Sequence, residues 1–370
     1  FLPMCVYNDT GKNTTSASET LLNKRIAIVG IGGVGGYLGA MLAHTYPHVT
    51  LAARGKRLEH IKEHGLTLHS VYSEEITAFP EHVTTADAIG PQDYIFVCVK
   101  NYSLEDVCRQ IAPFVDDHTV LIPVMNGVDT GERMRNLLKK GTVIDSLIYI
   151  VAYASPDFSI TQIGNLASLR IGIKNASKEQ SENVLEASAL LSGAHIHHKI
   201  ADNIIAAIWR KYILNCAYNI TTARYNRTIG QLREDPETAA QYETLVRESW
   251  LVSEAAGAGV PETSINEIID QFYHKLDPAS TSSLQRDIWA GRPSELETFS
   301  GYLYEKQRNF PYRCYCQKLC ILTCRKLFQN KADIRLTTAL SQIFKPVHLS
   351  CLQSGTCGHK PSVPLLFCRQ

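Results

Sequence analysis

The sequence predicts a parallel α/β domain followed by a mostly α-helical one. Three observations carry this. Short apolar runs without alternation recur through the first half, the mark of strands in a parallel sheet covered on both faces. A glycine cluster separates the first run from an apolar helix. Beyond Ala201 the pattern is helical as far as about Arg308. At 370 residues the chain is too long for one ordinary core, so two domains are expected.

The elements follow in order. Residues 1–23 are polar and rich in Thr, Ser and Asn, with too little apolar surface to offset the entropy of ordering, and are expected to form a disordered leader. Ile26-Ala-Ile-Val29 is a buried strand, then come the glycines and a helix through Leu42. Val49–Ala53, Tyr94–Val99 and Thr119–Val124 are further strands of the same kind. Ser146–Tyr153 and Leu169–Ile173 add two strand-like runs, and no internal repeat occurs.

Composition narrows the function. Hydrophobic residues at 45% and charged residues at 20% describe a soluble globular protein. From Pro311 onward nine Lys/Arg face one acid, Asp333, which leaves the preceding chain at a net charge of −7. That balance excludes nucleic acid as a partner. No apolar stretch reaches the length of a membrane span. Cys5, Cys98, Cys108 and Cys216 are scattered, three of them in apolar runs that suit a reduced thiol. A reducing, cytoplasmic setting is the default expectation. A first residue Phe1, without a secretory pattern after it, suggests a fragment or a trimmed record.

Gly30-Ile31-Gly32-Gly33-Val34-Gly35 follows the first strand directly and opens a helix. The first glycine permits the tight turn, the second lets backbone approach a pyrophosphate, and the third lets helix and strand pack closely. Free amides at the helix start then face the phosphates. The bland alternative is a plain glycine turn; the strand before it and the helix after it favour a Rossmann-type dinucleotide site. Where an NAD site usually carries an acid, at the end of the second strand, this chain has Arg54, with Lys56 and Arg57 beyond. A guanidinium attracts a 2′-phosphate and a carboxylate repels it, so NADP is the expected cofactor. Lys100 and Asn126 end two further strands on the side where ligands bind such sheets.

The second half carries Lys211, Asn215 and Asn219 at a spacing of four within an otherwise apolar segment. On a helix they form one polar stripe. Polar groups on a helix buried nearly all round need partners, which a substrate bearing a carbonyl and a carboxylate supplies. The rival is an amphipathic helix whose polar edge meets water.

Taken together, the glycine motif, Lys100, Asn126-Gly127, Trp209-Arg-Lys211 with Asn215 and Asn219, and Ser283 with Asp287-Ile288 and Glu295 resemble the 2-dehydropantoate 2-reductase (ketopantoate reductase) family. The resemblance covers about residues 24–308. It implies reduction of 2-dehydropantoate to pantoate by NADPH, on the route to pantothenate and coenzyme A. It assigns 24–198 to the NADP-binding Rossmann domain and 199–308 to a helical substrate domain, with the active site between them. By the same resemblance Lys211 is the general acid and Glu295 an acid at the cofactor and active-site mouth. Asn215, Asn219 and Ser283 bind substrate with Lys211. Gly30, Ile31, Gly32, Gly33, Val34, Gly35, Arg54, Lys100, Asn126 and the main chain of Val151 contact the cofactor together with Glu295. No metal is expected, and a homodimer is left open.

Two departures bear on this. The family often has Asn just before the glycine at Gly230, where this chain has Ile229, so one substrate hydrogen bond is missing. From about residue 309 cysteines crowd and acids nearly vanish; residues 309–370 are expected to be a Cys-rich basic tail foreign to the family, from a shifted reading frame or an alternative exon. Sequencing the transcript across this junction tests that. Zinc is disfavoured, because Cys314, Cys316, Cys320 and Cys324 lack paired CxxC spacing. The alternatives to the leading function are an NADP-dependent reductase of another 2-keto acid and a catalytically impaired NADPH-binding protein.

Overall fold

The computed structural model of the chain describes residues 19–71, 74–306 and 322. Its strands are β1 (Ile26–Val29), β2 (Val49–Ala52), β3 (Leu66–Ser70), β4 (Ile76–Ala78), β5 (His82–Thr84) and β6 (Tyr94–Val97). They continue with β7 (Val120–Pro123), β8 (Thr142–Val143), β9 (Asp145–Ala154), β10 (Ile160–Gly172) and β11 (His198–Ile200). The helices α1 (Gly33–Thr45), α2 (Gly55–His64), α3 (Leu104–Ile111), α4 (Thr130–Leu138) and α5 (Lys178–Gly193) are interleaved with them.

Six strands form a parallel sheet in the order β5-β2-β1-β6-β7-β8. β1, β2, β6 and β7 are buried at every residue, as strands covered on both faces must be. The chain builds outward from β1 to β5 on one side, then returns to place β6 on the other. That reversal opens a crevice at the carboxyl ends of β1 and β6, the place where ligands bind in such sheets.

A second sheet has the order β11-β10-β3-β4, with β9 antiparallel to β10 in a long hairpin irregular between Ile163 and Ala167. One apolar core joins Ile26, Ile28 and Leu51 of the first sheet, Leu38 and Leu42 of α1, and Leu68, Ile160 and Leu169 of the second. α1 is therefore apolar all round because a sheet lies on each side of it.

The remainder is helical: α6 (Ile204–Tyr225), α7 (Ile229–Glu234), α8 (Pro236–Ala255), α9 (Thr263–His274), α10 (Ser283–Trp289), a π-helical turn Glu297–Gly301, and α11 (Tyr302–Lys306). α6 is the axis of this half. Asn203 caps it by accepting from the Ala206 amide, and Asn226 ends it in the left-handed conformation that Asn tolerates. Trp209, Tyr212, Ile213, Cys216 and Ile220 pack there against Tyr242, Leu245, Phe272, Leu284 and Phe299. Leu147 of β9 meets Ile204 and Ile208, tying the two halves together.

Two expectations are corrected. Of the leader expected to be disordered, residues 19–22 form a helical turn, while residues 1–18 lie outside the described residues. A division between 198 and 199 cuts β11, which pairs with β10 through Leu169 and His198 and belongs to the first half. The tail expected at 309–370 lies outside the described residues except for residue 322.

Candidate active site

The glycine turn joins β1 to α1. Gly30 has φ +97°, and a Cβ there meets a Val99 methyl at 2.6 Å, so the position admits no side chain. A Cβ on Gly35 lies 2.0 Å from the Gly30 carbonyl oxygen, and one on Gly33 lies 2.2 Å from that of Ala152. The helix start is thus pressed against β1 behind and β9 above. Gly32 differs: a Cβ there meets no described protein atom within 4 Å. The first turn of α1 carries no acidic residue to compete for its free amides, and the open space lies at the Gly32 end of that turn. This geometry fits a pyrophosphate. Ile31 is buried beside it and Val34 half-buried.

Arg54 stands two residues after β2 as the N-cap of α2, exposed and without a hydrogen bond or ion pair to the described residues. Arg57 is committed elsewhere, donating to the Phe158 carbonyl at 3.2 Å. Arg54, with exposed Lys56, remains available for a 2′-phosphate. Val151 is exposed on β9, next to Ala152 whose carbonyl oxygen crowds Gly33.

The polar centre lies where both halves meet. Lys211 Nζ donates to Asn126 Oδ1 at 3.3 Å, and its ammonium faces the Tyr149 ring, 5.9 Å away. Met125, Gly127, Leu147, Ile208, Tyr212 and Asn215 complete the lining of this cleft. Lys211 is half-buried as a residue, but its charged end sits among these groups. Burial therefore pulls its pKa from the ordinary 10.5 down to about 8, and the Glu295 charge offsets only part of that. Sequence left this competition open; loss of water wins.

Glu295 is 4% exposed and is held from the other side. Lys100 Nζ donates to its Oε2 at 3.1 Å, while the Asn101 backbone and side-chain amides donate to Oε1 at 3.2 and 3.3 Å. Lys100 also reaches Asp287 at 3.4 Å, which Arg292 pairs at 3.0 Å. Burial works to lower the pKa of Lys100, but Glu295 and Asp287 outweigh it and raise it. Glu295 makes no hydrogen bond to Lys211 among those described; it acts on that lysine through its charge.

One turn further along α6, Asn215 shares the Lys211 cleft. Asn219 is buried and occupied: its amide donates to the Asn215 carbonyl at 2.9 Å, and its Oδ1 accepts from the Leu284 amide at 3.4 Å. It fastens α10 to α6 and so places Ser283, half-buried at the first position of α10. Ile229 is fully buried in the helical core and offers no polar group. Asn101 and Tyr149 were missed by sequence reasoning. For Asn101 the one available signal was its place directly after Lys100 at a strand end.

Known proteins resemble this chain in sequence and in fold. The family model Ketopantoate reductase PanE/ApbA matches residues 26–175, and Ketopantoate reductase PanE/ApbA C terminal matches 203–312. A 2-dehydropantoate 2-reductase of Mesorhizobium japonicum is 29% identical, covering 77% of this chain and 91% of its own. The crystal structure of a PanE/ApbA family ketopantoate reductase from Ralstonia eutropha superposes with a TM-score of 0.75 at 23% identity, over 83% of this chain and 99% of that one. D-mandelate dehydrogenase in a ternary complex with NADH does so with a TM-score of 0.74 at 19% identity, over 83% and 99%. Both structures are similar to this chain in fold. With the two family models covering both halves in the order of their motifs, the chain belongs to the ketopantoate reductase family of oxidoreductases.

Proposed function

We propose that the protein is an NADPH-dependent reductase that converts 2-dehydropantoate to pantoate, with Lys211 as general acid. The observation that carries this is the contrast between the two lysines on which Glu295 acts. Lys100 is held by two carboxylates with its pKa raised, a lasting positive charge. Lys211 is fixed by Asn126 with its pKa brought to about 8, still protonated at neutral pH yet ready to give the proton up. Environments that push like groups apart mark which one transfers a proton.

When bound, NADPH supplies the hydride; Gly30 to Gly35 and the first turn of α1 are suited to its pyrophosphate, and Arg54 to its 2′-phosphate. Reduction of a ketone builds negative charge on oxygen. The Lys211 ammonium neutralises that charge and donates its proton to it. Asn126 keeps the ammonium pointed into the cleft, and Leu147 and Ile208 limit water there. Asn215 and Ser283 are the polar groups for the keto acid. No helix among the described residues is long and apolar enough to cross a membrane.

A second reading, reduction of a different 2-keto acid, is favoured by Ile229, which removes a polar group the family often places there. The test is NADPH oxidation by the full chain with 2-dehydropantoate, run beside NADH and a panel of 2-keto acids. Fastest NADPH-linked turnover of 2-dehydropantoate supports the first reading. Faster turnover of another keto acid supports the second. NADPH binding without any turnover overturns both and leaves an impaired binding protein.

A further inference from the structure

One buried side chain has no part in that reading. Asn101 is 4% exposed and opens a short 3-10 turn, Asn101–Ser103, directly after Lys100. Its side-chain amide donates to Glu295 Oε1 at 3.3 Å and to the Asn126 carbonyl at 2.6 Å. Its backbone amide adds a second donor to Glu295 Oε1 at 3.2 Å. Arg133 Nη1 donates to Asn101 Oδ1 at 3.4 Å. Both hydrogens of the side-chain nitrogen are used and the oxygen faces a cation, so the amide has one satisfied orientation. Asn126 passes the constraint on, because its own Oδ1 accepts from Lys211 Nζ.

We propose that Asn101 is a positioning residue for the reduction. It locks the Glu295 carboxylate and the Asn126 backbone into one arrangement, and through them it fixes where the Lys211 ammonium sits and how readily it releases a proton. This rests on Lys211 being the proton donor. Ala at 101 leaves Glu295 Oε1 with the backbone amide and the Asn126 carbonyl without this donor. Ser keeps one hydroxyl donor on a shorter side chain. The titratable groups facing Lys211 are Glu295 from the helical half, Tyr149 of β9 and Tyr212 of α6 itself. Around Glu295 stand Lys100 after β6 and Asp287 of α10, with Arg292 beyond Asp287 and Arg133 of α4 against Asn101. Of these charged groups, Glu295 and Arg133 are the ones that Asn101 itself hydrogen-bonds.

The experiment compares Asn101→Ala and Asn101→Ser in the full chain, each with Glu295 and with Glu295→Gln. It reads kcat, KM for NADPH, and the pH profile of kcat with the keto acid turned over fastest. Asn101→Ala is expected to lower kcat by about tenfold or more, the scale on which a small misplacement of a reacting group acts. KM for NADPH stays near its original value, the alkaline limb of the profile moves, and Ser restores part of the loss. With Glu295→Gln the further movement of the limb disappears, since the charge that Asn101 holds is gone. Unchanged kcat and an unmoved limb overturn the proposal, as does a movement of equal size with Glu295→Gln. If the Ala variant does not fold, the Ser variant carries the same comparison and the same two outcomes. The underlying reading fails separately: a Lys211→Ala enzyme with full kcat removes the lysine whatever Asn101 does. An inactive Lys211→Ala enzyme beside an unaffected Asn101→Ala enzyme overturns this proposal alone.

Discussion

At Lys211 the proposed proton transfer and stability pull against each other. A charged ammonium in a cleft with few partners costs free energy, and the fall of its pKa from 10.5 to about 8 measures that cost. The unfolded chain keeps its proton up to about 10.5 while the folded chain sheds it near 8, so between those values the unfolded state binds more protons and stability rises with pH. Lys211→Met, similar in volume and uncharged, should therefore be more stable than the parent below pH 8, by at most about 3 kcal/mol. The gain should fade between pH 8 and 10.5, and urea denaturation at several pH values checks it. The same variant should lose about two to four orders of magnitude in kcat with little change in NADPH affinity. Arg54 bears on affinity. Its guanidinium has no partner among the described residues, so Arg54→Ala should leave the melting temperature alone. It should weaken NADPH about tenfold or more while sparing NADH, because hydrogen bonds to charged groups are worth roughly 1.5–3 kcal/mol. Equal weakening of both cofactors in a binding titration would place the 2′-phosphate elsewhere.

At the scale of elements, the glycine turn separates fold from function within two adjacent residues. Gly33 lies under β9, where an added methyl runs into the Ala152 carbonyl at 2.2 Å; a methyl added at Gly32 meets no described protein atom within 4 Å. Gly33→Ala should cost about 1–3 kcal/mol, because a backbone carbonyl in a paired hairpin yields only by shifting the strand. Gly32→Ala should melt like the parent and lose NADPH affinity, because its methyl occupies the approach to the α1 amides. Thermal melts with and without NADPH distinguish the two, and a destabilised Gly32→Ala protein would refute the assignment. This motif was legible because one turn carries it whole. β3, β4, β5 and β11 were not, being strands of three to five residues, several of them with exposed side chains on edges that give no apolar run. The crossing of β9 over α1 was equally hidden, since nothing local to Ala152 announces Gly33.

Across the whole molecule, the polar centre exists because two halves distant in sequence close on one another. Lys211, Asn215 and Asn219 were legible as a stripe because one helix spaces them. Asn101 was not, because its role depends on a carboxylate 194 residues away. Asn219 shows the converse: the spacing was visible, but the bond from the Leu284 amide that occupies its oxygen belongs to tertiary packing. Lys100 is the charged link in this closure, reaching from the end of β6 to Glu295 and Asp287. Its side chain is 41% exposed, so water screens part of the attraction, whereas Glu295 is almost wholly enclosed. Removing the exposed partner strands the enclosed one. Lys100→Met should therefore destabilise the protein by about 2 kcal/mol, less than a fully buried broken pair costs. Adding Glu295→Gln should recover most of that loss, since a neutral amide no longer needs the cation and still accepts from the Asn101 amides. Denaturant midpoints of the parent, both single variants and the double variant close the cycle. If the two effects simply add, Lys100 does not support Glu295, and the charge contact between the two halves rests on Asp287 alone, beside the apolar packing of Leu147, Ile204 and Ile208.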